Sequence, residues 1–293
     1  MTIKKWLNKF TTPLNGKRVI ITGATGGLGV EICEHFLTLG ADITMACRNE
    51  IKATALKEKL VSAHPDANID FISLDLTKKS SIDNAIEQIK RYNGIDILVN
   101  NAGIYNVPIK KLESGFNNVF QVNFLYTYYL TQKLIGELEK KENSTCITIG
   151  SVAHNYSKIN EEDIDFSSHK KQRKIYGNSK RFLMFSFYEL FKNTKVNLAI
   201  VHPGVTLTNM TNHYPKAINW LVKIGIKLFF PNPKKASLSI IYGAFNKTDH
   251  FEWIGPKILN VWGFPKKSKI ESCSMDEYKK ICEITKILIS NIN

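Results

Sequence analysis

Thr22-Gly23-Ala24-Thr25-Gly26-Gly27-Leu28-Gly29 follows the strand-like run Arg18-Val19-Ile20-Ile21 and opens a helical pattern of Val30, Ile32, Cys33, Phe36, Leu37 and Leu39. A strand entering a glycine-rich turn and then a helix suits phosphate binding. Glycine lets the backbone turn sharply and approach a pyrophosphate closely, and a helix N-terminus presents free N–H groups with partial positive charge. The spacing is Gly-x-x-x-Gly-x-Gly through Gly23, Gly27 and Gly29, which differs from the commoner Gly-x-Gly-x-x-Gly fingerprint. Alone, such a stretch also fits a plain tight turn. The rest of the chain decides between the two.

Working outward, strand-like runs at 18–22, 43–47, 69–73, 95–100, 145–149 and 196–201 alternate with helical stretches such as Ile82, Ala85, Ile86 and Ile89. This alternation predicts an α/β fold of the Rossmann type, a doubly wound parallel sheet with helices on both faces. Strand C-terminal ends then share one edge, where ligands bind. The pattern fades after about Met210, so the chain reads as a single domain: a core over 16–208, then a substrate lid and C-terminal helical additions over 209–293. Ser274-Met275-Asp276-Glu277 is a capping-box start to a last helix.

The totals narrow the function classes. A hydrophobic share of 43% over 293 residues supports a sizeable core. No uncharged stretch of membrane-spanning length is predominantly apolar, and the first ten residues lack a signal-peptide core, so a cytoplasmic location is expected. Five cysteines without a C-x-x-C pair read as buried thiols, and no metal site is expected. The formal charge of +14 sits in a chain rich in Lys, Ile and Asn, so solvated lysines from compositional drift explain most of it. A phosphorylated cofactor accounts for little of the remainder, and nucleic-acid binding is not expected.

At the end of the second strand stands Ala46-Cys47-Arg48-Asn49. An acidic residue there would accept from a ribose 2′-hydroxyl and repel a 2′-phosphate, whereas a guanidinium pairs bidentately with phosphate. Arg48 thus favours NADP(H) over NAD(H), the alternative being an exposed arginine at a strand end. Leu74-Asp75-Leu76 and Asn100-Asn101-Ala102-Gly103 follow the third and fourth strands, where adenine and ribose would lie. The asparagine amides suit a turn in which side chains satisfy backbone groups under a close cofactor.

With Asn123, Ser151, Tyr176-x-x-x-Lys180 and Pro203-Gly204 added, the pattern from Gly16 to Thr208 resembles the short-chain dehydrogenase/reductase family. Arg48 in its context, Ser-Val-Ala-His at 151–154 and the 25-residue gap from Ser151 to Tyr176 resemble its retinol-dehydrogenase-like branch, whose members typically interconvert hydrophobic carbonyls and alcohols with NADP(H). The resemblance implies a catalytic set of Asn123, Ser151, Tyr176 and Lys180. It implies cofactor contacts from Gly23, Thr25, Gly26, Gly27, Leu28, Gly29, Arg48, Asn49, Asp75, Leu76, Asn101, Ala102, Gly103, Tyr176, Lys180, Pro203, Gly204, Val205 and Thr208. Ser151 and Tyr176 would touch substrate, and many relatives are homo-oligomers.

Hydride transfer to a carbonyl builds negative charge on oxygen, which must receive a proton. A tyrosine titrating near ~10 is a poor reversible acid at neutral pH; a lysine one helical turn away stabilises tyrosinate and lowers that value. Tyr176 is therefore the expected proton donor, Lys180 its tuner and ribose clamp, and Ser151 a hydrogen-bond donor to the substrate oxygen. Asn123 resembles the family's helix asparagine, which holds the lysine and a relay water. Y-x-x-x-K also occurs at Tyr129/Lys133 and Tyr188/Lys192, but only Tyr176 follows a strand-end serine at the family spacing.

Gly150 departs from relatives that carry a second serine before Ser151. Residues 155–174 read as a solvated, insertion-like loop, with recruitment of an anionic substrate or membrane surface as the alternative. His202 reads as a packed strand-end residue and His154 as a loop histidine, or one lining the pocket mouth. Segment 216–230 is amphipathic and basic: an apolar lid is the first reading, a helix resting peripherally on a membrane the second, and a core helix the third. A non-catalytic NADP(H)-binding regulatory protein is the rival function, which the intact set Asn123, Ser151, Tyr176 and Lys180 disfavours.

Overall fold

The computed structural model describes residues 1–204 and 232–292. Among them, eight strands form one sheet: β1 (Arg18–Thr22), β2 (Asp42–Cys47), β3 (Ile69–Ser73), β4 (Ile97–Asn100), β5 (Thr145–Ile149), β6 (Asn197–Val201), β7 (Glu252–Ile258) and β8 (Trp262–Lys269). Their order is β3-β2-β1-β4-β5-β6-β7-β8, parallel throughout except for β8, which runs antiparallel to β7. The order reverses between β1 and β4, the place where doubly wound sheets open a crevice.

Strand side chains alternate between two apolar layers. Ile20, Leu98, Cys146 and Ile200 join one layer with α4 (Lys79–Lys90), α6 (Tyr126–Glu139), α7 (Gln172–Phe191) and α10 (Met275–Ser290). Val19, Ile21, Val99, Ile147 and Val201 join the other with α1 (Ile3–Phe10), α2 (Gly27–Thr38), α3 (Glu50–Ala63) and α9 (Leu238–Phe245), which follows the short α8 (Pro233–Ala236). Burying each such aliphatic side chain contributes about 1.5–3 kcal/mol, so both faces of the central strands are committed to packing. Function is left to the strand ends. All five cysteines are buried free thiols.

The described residues after 231 are not solely the helical addition the pattern suggested. The sheet continues through β7 and closes with β8, flanked by α8, α9 and α10. The lid segment 216–230 lies outside the described residues. No helix among the described residues is long and apolar enough to cross a membrane.

Candidate active site

The glycine turn is packed tightly enough to define its residues. Gly23 has φ +64°, and a Cβ there would come within 2.9 Å of Ala102 Cα; one on Gly29 would lie 2.4 Å from the Gly23 carbonyl. Side chains are therefore excluded where α2 meets β1 and the turn after β4. Gly26 caps α2 without a side-chain hydrogen bond. The first N–H groups of α2 are left for a ligand, as a helix start leaves them without intrahelical acceptors.

Asn101 and Thr22 fasten the opposing turn. Thr22 Oγ1 accepts from the N–H groups of Asn101 (3.0 Å) and Ala102 (2.9 Å), while Asn101 Nδ2 donates to the carbonyls of Thr22 (2.9 Å) and Gly23 (3.1 Å). Asn100 points the other way, its amide donating to Thr131 Oγ1 at 2.9 Å inside the core. The two asparagines therefore divide the work between core and cleft.

Between these turns runs a cleft of about 1060 Å³, along the C-terminal ends of the parallel strands. Gly23, Thr25, Gly26, Gly27, Leu28 and Gly29 line it, as do Arg48 and Asn49 after β2, Asp75 and Leu76 after β3, and Asn101, Ala102 and Gly103 after β4. Ser151, Tyr176, Lys180, Pro203 and Gly204 complete the wall. Arg48 is exposed, Asn49 Oδ1 caps α3 by accepting from Lys52 N (2.8 Å), and Asp75 Oδ1 accepts from Thr77 N (2.9 Å) and Oγ1 (2.7 Å). Val205 and Thr208 lie outside the described residues.

Tyr176 and Lys180 share one face of α7, with the Lys180 ammonium 5.9 Å from the Tyr176 ring centre and donating to the Ile149 carbonyl at 2.7 Å. Burial pushes Lys180 down to about 7. Burial also pushes the Tyr176 phenol up to about 12, with the Ser151 hydroxyl acting in the opposite direction. Both groups are thus biased toward their neutral forms. Ser151 Oγ accepts from Ala153 N (3.2 Å) and starts a 3-10 turn, Val152–Tyr156. Gly177 brings α7 against that turn, because a Cβ on it would lie 2.3 Å from the Ala153 carbonyl.

Asn123 does not line the cleft. It sits fully buried in a π-helical turn, Gln121–Leu125, between the short α5 (Asn118–Phe120) and α6. Its Oδ1 accepts from Ile104 N at 2.8 Å, and its Nδ2 donates to Ile104 O (2.9 Å) and Ser179 Oγ (3.1 Å). The expected hold on Lys180 is thus indirect, through the neighbouring Ser179, because the amide is engaged by the Ile104 peptide.

Two further expectations change. His154 is neither a loop histidine nor at the pocket mouth: the 3-10 turn buries it, with Nδ1 2.6 Å from the Ser151 carbonyl and its ring edge-on to Trp253. Residues 155–174 are not simply solvated. Asp165 Oδ2 accepts from Asn117 N (2.6 Å), Phe166 is buried, and Asn178 Nδ2 donates to Ile164 O (2.7 Å). Within that stretch, Lys170 and Lys171 are exposed. His202 packs as expected, stacked on Trp253, and burial lowers it to about 4. Tyr129 donates to Asp83 Oδ1 (2.8 Å) and Tyr188 to the Glu252 carbonyl, both away from the cleft.

Several lining residues carried no sequence signal. Tyr105 packs edge-on against Tyr176 with centroids 4.8 Å apart, and Ile104, Val107, Val152 and Tyr156 add apolar wall. Arg173, one turn before Tyr176 on α7, was findable from helical spacing.

A family model described as short chain dehydrogenase matches residues 17–219. Retinol dehydrogenase 14 of Mus musculus is 28% identical over 298 residues, covering 94% of this chain and 86% of the relative. Among solved structures, a protein from Mycobacterium paratuberculosis superposes with TM-score 0.75 at 22% identity over 95% of each chain. A short-chain dehydrogenase from Sphingobium yanoikuyae in complex with NADPH superposes with TM-score 0.60 at 20% identity, covering 78% of this chain and 84% of that one; at such identity these two show the fold. The chain belongs to the short-chain dehydrogenase family, oxidoreductases of CH–OH groups, and, being 31% identical over 227 residues to retinol dehydrogenase 12 of Mus musculus (76% of this chain, 70% of the relative), to its retinol-dehydrogenase-like branch.

Proposed function

We propose that this protein is an NADP(H)-dependent oxidoreductase that interconverts a hydrophobic aldehyde or ketone with its alcohol, using Tyr176 as acid/base. One observation carries the reading: Ser151, Tyr176 and Lys180 meet on one wall of the cleft that begins at the glycine turn. The cleft fits a dinucleotide phosphate. The α2 N-terminus is uncapped by any side chain, Gly23 and Gly29 leave no room for one, and Arg48 stands exposed at the rim beside the lining Lys52.

Bound there, the dinucleotide supplies or accepts the hydride. Tyr176 donates its phenolic proton to the substrate oxygen in reduction, and Ser151 donates a hydrogen bond to the same oxygen. Lys180, when charged, draws the phenol down from its buried value and hydrogen-bonds the ribose. Ile104, Val107, Val152 and Tyr156 exclude water and select an apolar substrate body. The reading places the protein in the cytoplasm.

The test is NADPH oxidation at neutral pH, with NADH in parallel, over aliphatic, aromatic and isoprenoid aldehydes and ketones. Turnover that prefers NADPH and collapses in Tyr176→Phe is the expected result. NADPH binding without turnover of any carbonyl counts against the catalytic reading, and a clear NADH preference counts against Arg48.

A further inference from the structure

The β7–β8 hairpin ends in a turn that its own residues do not favour. Val261 N donates to Ile258 O at 3.0 Å, closing a turn whose two central residues, Leu259 and Asn260, have φ +50° and +56°. Asparagine and glycine accept that left-handed conformation; leucine is strained in it. Leu259 gains no packing in exchange, being 79% exposed, and its neighbours Ile258 and Trp262 are 54% and 40% exposed. Neither backbone geometry nor the core explains an apolar tip here.

The charge around the tip has one sign. Short of the hairpin's base the chain carries Lys257, Lys266 and Lys267, all exposed, and no acidic residue; at the base Lys269 is the ladder partner of Glu252. Lysines on an edge strand guard against sheet-to-sheet pairing, which accounts for those on β8. It does not account for a leucine and an isoleucine projecting beyond them. The turn also abuts the cleft wall: a Cβ on Gly204 would lie 3.1 Å from the Val261 carbonyl and 3.6 Å from that of Asn260.

We propose that the β7–β8 tip docks this protein onto a membrane surface bearing anionic lipid headgroups. Ile258, Leu259 and Trp262 enter the boundary between headgroups and acyl chains, where aromatic and aliphatic side chains gather, and the flanking lysines face the lipid phosphates and carboxylates. The occupant follows from charge complementarity together with an apolar tip. Docking stands independently of the proposed chemistry; if that chemistry holds, a lipid-soluble substrate would leave the bilayer next to the Pro203-Gly204 wall of the cleft.

The experiment is co-sedimentation of the full chain with phosphatidylcholine vesicles, with and without phosphatidylserine, at low and high salt. Retention that requires phosphatidylserine and falls with salt is expected. Leu259→Asn suits the turn, so it should fold at least as stably as wild type while weakening vesicle binding by about tenfold or more. The pair Lys266→Gln and Lys267→Gln should weaken the dependence on phosphatidylserine. Absent wild-type binding, or binding unchanged in Leu259→Asn, overturns the proposal. So does a Leu259→Asn variant that dissociates an oligomer while vesicle binding persists, since the tip would then join copies of the chain. Turnover of a water-soluble aldehyde without vesicles should be the same in Leu259→Asn and wild type; if neither turns over while vesicle binding persists, the proposed chemistry fails and the docking stands.

Discussion

Arg181 grips Glu277 through two hydrogen bonds, Nε to Oε1 at 2.7 Å and Nη2 to Oε2 at 2.6 Å. The same guanidinium donates to the carbonyls of His154 (3.0 Å) and Ser272 (2.6 Å), and Glu277 Oε1 accepts from Ile159 N (3.1 Å). Arg181 follows Lys180 on α7, and His154 lies in the turn that starts at Ser151. One buried ion pair thus ties the C-terminal helix to both elements that carry the proposed chemistry. Removing one partner of such a pair costs about 3–5 kcal/mol. Glu277→Gln and Arg181→Met should each lower the thermal midpoint markedly, and calorimetry checks this.

The same pair gives an acid dependence. Burial works to raise the Glu277 carboxyl, yet the Arg181 guanidinium and the Ile159 N–H hold it below its ordinary value of 4.5. A folded value below the unfolded one contributes stability that is present above 4.5 and lost as pH falls through the folded value. Denaturant titrations from neutral pH downward should show this loss in wild type and a weaker one in Glu277→Gln.

Lys180 has the opposite slope. Its folded value of about 7 lies below its ordinary 10.5, so between those values the unfolded chain binds more protons than the folded one. Its contribution to stability therefore rises with pH across that window and is flat below it. Lys180→Met should remove this rise, read from unfolding midpoints at several pH values without cofactor, while abolishing turnover.

Arg48 is exposed at the cleft rim. If it meets a 2′-phosphate, Arg48→Ala should weaken NADPH by roughly tenfold to a hundredfold, as loss of a charge-assisted pair does, and leave NADH nearly unchanged. Fluorescence titration of both cofactors decides it. An equal loss for both would remove Arg48 from the phosphate site.

Gly177→Ala tests the approach of α7 to the turn after Ser151. The added methyl would lie 2.3 Å from a backbone carbonyl, so one element must move. We expect kcat to fall by about tenfold or more, with NADPH affinity little changed, because a small misplacement of reacting groups carries a large kinetic cost.

The first six strands were legible to within two residues: β1, β2, β4, β5 and β6 read as nearly continuous apolar runs because they are buried, and the edge strand β3 is marked by Ile69, Phe71 and Ile72. The last two were not. Gly255, Pro256, Gly263, Pro265 and four lysines break the apolar signal, and β8 lies at the sheet edge, where only one neighbour is needed. At the candidate site, Ser151, Tyr176 and Lys180 were readable from their order and spacing. Tyr105 and Tyr156 were not, since the path of a loop sets what they touch. His154 was misread because nothing in Ser-Val-Ala-His announces that a tight turn will fold the ring inward against Trp253.

The wide turn at Gln121–Leu125 accommodates more chain than a regular helix would over the same rise, and Thr127 Oγ1 reaches back five residues to the Val122 carbonyl at 2.8 Å. Excising one residue there would let the helix heal with its two halves still nearly in phase, because a π turn of about five residues rotates and rises about as much as four residues of α-helix. Leu130 and Leu134 would keep their seats in the core, while Asn123 would lose the widened turn in which its amide meets the Ile104 peptide. The surplus residue is therefore a local device: it shifts one asparagine toward the peptide it must meet and leaves the hydrophobic face that follows undisturbed.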